Sequence, residues 1–92
     1  MMIKGQKAME KTNELMDMVE EGAASLKAMY MPNADEMNII IEFEDIFYYH
    51  HSTVFDAMEN ATLETVTEER AKDIMRGLLN GHCNDDVLFG GF

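Results

Sequence analysis

The side chains best suited to chemistry in this 92-residue chain are His50, His51, His82 and the single Cys83. Together they have the ligand types of a zinc site, but their spacing opposes one. Adjacent histidines on a helix point about 100° apart, and the i, i+4 pairing of helical zinc sites is missing. The expectation is no metal and no cofactor. Ser52 and Thr53 follow the histidines directly and share a turn with them, a geometry that does not set a nucleophile against a base. Gly90 and Gly91 open no helix, so they form no phosphate-binding loop. Glu44 falls among apolar neighbours, where a carboxylate needs a cation such as Lys27, Lys72 or Arg76, or else a proton. No catalytic set emerges, and the chain reads as a non-enzyme.

Charge is the stronger signal. The formal net charge is −11, and residues 28–69 hold ten acids and no Lys or Arg. A field of that sign repels nucleic acid and anionic membrane and attracts basic protein surfaces. The expected partner is a basic nucleic-acid-binding protein, with no direct contact to nucleic acid or membrane. No apolar run approaches the ~20 residues of a membrane span. The opening MMIKGQK has no apolar core behind its lysines, and the lone cysteine can form no internal disulfide, so the cytoplasm is the expected compartment.

The elements that would position this charge follow from periodicity. Wound as a helix, Ala34 to Asn60 gathers Met37, Ile40, Ile41, Phe43, Phe47, Tyr48, Val54, Phe55 and Met58 on an apolar arc of roughly 200°, wider than the stripe of a surface helix. The remaining side is an acidic ridge. Glu42, Asp45, Asp56 and Glu59 line it over about 25 Å of axis, and Asp35 and Glu64 extend it at either end. An earlier helix runs from about Lys4 to Tyr30 and is stopped by Pro32. Asn33 and Glu36 can cap the central one. The small residues Gly22 to Ser25 leave room for Phe43 or Phe47. ATLETV shows no helical stripe and reads as a loop, after which Thr65 or Thr67 caps a third helix ending at Gly81.

The predicted fold is therefore all-α: a long antiparallel helical hairpin plus a shorter third helix, a three-helix bundle, in a single helical domain of residues 1–83 with a C-terminal tail of 84–92. The wide arc predicts a homodimer, with Met18 and Phe55 as interface candidates. Ten methionines suit core filling or an adaptable contact surface.

In size and charge alone the chain resembles the small acidic phage-type proteins that block restriction or CRISPR enzymes. The resemblance implies an inhibitor whose acids imitate nucleic-acid phosphates. A second reading rests on the tail, where Asp85, Asp86, Val87, Leu88 and Phe89 resemble the acidic-then-Leu-Phe peptides that dock on sliding clamps, departing from them where glutamine is the rule. That resemblance implies a structural or adaptor protein; otherwise Leu88 and Phe89 fold back over the core.

Overall fold

The computed structural model describes residues 2–31, 35–53, 57–81 and 87–90, with side chains at 2–31, 35–53 and 59–77. The fold mixes α and β and is not a helical bundle. In chain order the elements are β1 (Met2–Lys4), α1 (Gln6–Glu20), β2 (Ser25–Tyr30), β3 (Glu36–Phe43), β4 (Ile46–Thr53), α2 (Ala57–Asn60), β5 (Thr62–Val66), α3 (Glu68–Gly81) and β6 (Val87–Gly90). The six strands form one sheet in the order β1-β5-β4-β3-β2-β6, with every neighbouring pair antiparallel.

The largest correction concerns residues 34–60, expected as one long helix. Residues 36–53 are instead the hairpin β3–β4, registered from Glu36↔Thr53 to Phe43↔Ile46. The wide arc is explained by burial on both faces of a strand. Ile39 and Ile41 pack on one side of the sheet and Ile40 on the other, each almost wholly buried. A short run rich in Ile, Phe and Tyr fits a strand covered on both faces better than it fits a helix. Much of the arc that suggested a second copy of the chain is thus filled from within; Val54 and Phe55, which also belong to it, lie outside the described residues. The hairpin turns on Glu44 and Asp45, at φ +52° and +65°. Such two-residue loops are usually Asn-Gly or Asp-Gly, which is why Glu-Asp concealed this one.

The first predicted helix is also too long. It ends at Glu20 in a Schellman motif, with the Ala23 N–H on the Met18 carbonyl at 2.8 Å and the Gly22 N–H on the Val19 carbonyl at 3.1 Å. Gly22 takes the left-handed position, φ +83°, that glycine fills at least cost. Gly22 is therefore a helix stop, and the segment beyond it is β2. Within ATLETV the residues Thr62–Val66 are likewise a strand, β5, whose Leu63 and Thr65 face one side and Thr62, Glu64 and Val66 the other by alternation. Thr67 caps α3 by accepting the Arg70 N–H at 3.1 Å.

The connections decide the layering. β1 and β2 run in one direction and are joined through α1; β5 and β6 run in the opposite direction and are joined through α3. Both crossovers move the same way along the sheet. Right-handed crossovers between oppositely directed pairs must then lie on opposite faces, and the cores agree. Ala8 and Leu15 of α1 cluster with Ile39, Ile41 and Leu63, whereas Ala71 of α3 clusters with Ala28, Ile40 and Phe47, flanked by Ile74 and Met75. Met9, Met16, Met18, Met29 and Met37 are half-buried against the first cluster, so core filling accounts for much of the methionine content. Among the described residues no helix is long and apolar enough to cross a membrane.

Candidate binding surface

The fold disperses the predicted acidic ridge. Asp35 is exposed in the turn before β3, and Glu59 is exposed on the short α2. Glu42 lies near the other end of β3, with its carboxylate 3.8 Å from the Lys27 ammonium. Asp45 is exposed in the hairpin turn, and Glu64 sits midway along β5, opposite Tyr49 on one side and Met2 on the other. Asp56 lies outside the described residues. No single helical face joins these groups. Glu44, expected among apolar side chains, is exposed in the hairpin turn.

A different acidic grouping takes its place, and topology creates it. Ser25, Glu42, Phe47 and Val66 form one row across β2, β3, β4 and β5. Just beyond that row, at the same end of the sheet, lie the end of α1, the β3–β4 turn and the start of α3. These carry Glu20 and Glu21, Glu44 and Asp45, and Glu68 and Glu69, all exposed. Ile46, 43% exposed, is beside them. Cations of the chain lie at this end too: Lys27 is 3.8 Å from Glu42, Lys72 is 3.5 Å from Glu68 on the surface of α3, and the exposed Arg70 follows Glu69. Sequence reasoning missed Glu20, Glu21, Glu68 and Glu69 because their proximity depends on three connections returning to one edge.

The acids at this end differ in origin. Glu68 and Glu69 sit in the first turn of α3, where the positive end of the helix dipole favours them. Asp17, Glu20 and Glu21 sit at the end of α1, whose last turn holds no base among the described residues. There the dipole is negative, and each carboxylate opposes it by about 0.3–1 kcal/mol. Placement for stability would have put lysine or arginine there.

The histidines separate. His50 and His51 are neighbours on a strand and point to opposite faces, so they share no ion; His82 and Cys83 lie outside the described residues. Among the described residues no cluster of three or more His, Cys, Asp or Glu could hold a metal.

His50 is 2% exposed beneath α1. Its Nδ1 lies 3.0 Å from Thr12 Oγ1, and its Nε2 lies 3.0 Å from Ser52 Oγ. Thr12 donates its only hydroxyl proton to the Ala8 carbonyl at 2.7 Å. Its oxygen therefore accepts from His50, which assigns the ring proton to Nδ1 and leaves Nε2 to accept from Ser52. The serine that looked misplaced on a helix is brought to the imidazole by strand spacing, two residues apart on one face. Burial first, then His51, hold the imidazole down at about 4, against a smaller upward pull from the Thr62 backbone. A base that weak is poorly matched to proton abstraction near neutrality. What the arrangement does is bridge α1 to β4.

On the opposite face Tyr49, His51 and Glu36 are half-exposed, while Asn38 is buried. The Tyr49 hydroxyl donates to Asn38 Oδ1 at 2.6 Å, and His51 Nε2 is 3.9 Å from Glu36 Oε2. Burial raises the Tyr49 hydroxyl above its usual range; Glu64 and Glu36 add to this and Arg70 opposes it.

In the tail, Asp85 and Asp86 lie outside the described residues. Val87, Leu88 and Phe89 belong to β6, registered against β2 by Tyr30↔Val87 and Met29↔Phe89. Docking through this segment would require it to leave the sheet.

Compared with protein families, curated proteins and solved structures, the chain matches none.

Proposed function

We propose that this chain is a small acidic inhibitor, without enzymatic activity, that offers its carboxylate-rich end to the basic groove of a nucleic-acid-binding protein in place of nucleic acid. The observation that supports it is the placement of Asp17, Glu20 and Glu21 at the C-terminal end of α1, against the helix dipole and without a base in that last turn, at the same end of the sheet as the turn acids Glu44 and Asp45. A charge arrangement that costs stability in the free protein is repaid when a partner supplies the cations. Lysine and arginine side chains spaced to hold phosphates would meet carboxylates on three separate connections. The target, like the chain, would work in the cytoplasm.

The test is capture on the immobilised protein, with bound proteins identified and then challenged with duplex DNA and with salt. The expected result is a nucleic-acid-binding protein released by either challenge, since both compete for the same cations. The double variant E44K/D45K should weaken that complex by about tenfold or more while leaving the circular dichroism spectrum unchanged. A partner indifferent to DNA, or equal binding by the double variant, would sink the proposal.

A further inference from the structure

The best defined group that the proposed function leaves unused is the buried bridge from α1 to the sheet. Only three side chains of α1 are fully buried, Ala8, Thr12 and Leu15. One of these three is the hydrogen-bond partner of His50. The imidazole is surrounded by an apolar layer: Leu63 is its registered neighbour on β5 and Ile39 on β3, and Ala8 and Leu15 belong to the same layer on α1. From its own strand it meets Ser52. The titratable group shown to act on it is His51, which faces the other side of the sheet and is cationic when protonated. Among the described residues no carboxylate is shown to act on His50. A proton arriving on Nε2 would place a cation in this layer with two hydroxyl oxygens and the Thr62 backbone to meet it, none of them a counter-charge, and burying a charge without a counter-charge is costly.

We propose that His50 is an acid-operated latch: protonation of its imidazole releases α1 from the sheet as a unit while the hairpin β3–β4 and the α3 layer stay folded. The direction follows from the two protonation equilibria. An imidazole free of the fold takes its proton near pH 6.5, whereas the docked one resists until about pH 4. Docking is therefore at full strength above pH 6.5 and weakens as the pH falls through the interval to about 4. Below that the docked form takes the proton too, and the loss levels off. Release is local because α1 and α3 pack on opposite faces with separate cores. Removing one helix leaves the contacts of the other in place.

Hydrogen exchange on the full chain, corrected for the intrinsic pH dependence of amide exchange, reads the latch directly. Between pH 7 and pH 4, amides of α1 should lose about a hundredfold of protection relative to those of β3, β4 and α3. The variant His50→Gln keeps a donor and an acceptor but takes no proton, and should abolish that differential. Parallel loss of protection in α1 and α3, or a differential that persists in His50→Gln, would overturn the latch. Should the variant fail to fold, the wild-type ring decides by NMR titration. An imidazole titrating near 4 supports the latch, and one titrating at 6 or above ends it.

Discussion

The two faces of the sheet are built on different principles. Under α1, apolar side chains and one internally bonded histidine are packed away from water. Under α3, Ile40 and Phe47 are equally dry, but Tyr49, His51 and Glu64 on the same face are only partly covered, and Met2 at its edge is 53% exposed. The difference shows what a helix spanning only part of a sheet leaves behind. On one face polar groups must satisfy one another with a fixed tautomer; on the other the buried Asn38 is satisfied by Tyr49 and the Tyr30 carbonyl, while Tyr49, His51 and Glu64 share that task with water.

Truncation in each core should measure this contrast most strongly. Leu15→Ala, in the fully buried layer, should cost about 2–5 kcal/mol in urea unfolding, and Ile74→Ala, at a half-buried site on α3, about 1–2 kcal/mol. Equal losses would mean that the faces are equally consolidated. A finer comparison removes one polar contact from each side. Thr12→Val strands the His50 Nδ1–H beneath α1 and should cost about 1–3 kcal/mol, whereas Glu36→Gln loosens the half-exposed contact with His51 and should cost about 1 kcal/mol or less. Reversal of that order would break the distinction between a sealed face and a wet one. The smallest effect belongs to the turn joining the hairpin that both faces share. Asp45→Gly should raise stability by about 0.4–1 kcal/mol, because glycine takes φ +65° without the strain of a side chain. A drop in thermal midpoint would show that the aspartate holds the turn by contacts of its own.

The sequence carried these faces in a form open to misreading. The run Met37 to Phe43 is apolar at five of its seven positions, which satisfies a helical stripe and a doubly buried strand alike. A turn of Asn-Gly at 44 and 45 would have separated the two readings; Glu-Asp did not. Gly22 was visible as a small residue, but its role as a helix stop depends on a left-handed backbone that small size alone does not announce. The third helix was legible because Thr67, Glu68 and Glu69 state its beginning and Ala71, Ile74 and Met75 mark its face. The excess of acid in the middle of the chain was plain from composition. Its arrangement was not, because three connections distant in sequence meet at one end of the sheet.

The strand order also sets a timetable. β3 and β4 are joined by two residues and close with little loss of chain entropy, whereas β1 must find β5 roughly sixty residues away and β6 must return to β2 over a similar interval. Contacts so far apart reward the chain only after long loops have closed. The hairpin is therefore suited to form early, and the two rims are joined last. The segments that begin and finish the described chain thus share a fate: they are the final seams to be sewn and, by the same reasoning, the first from which the sheet can unravel.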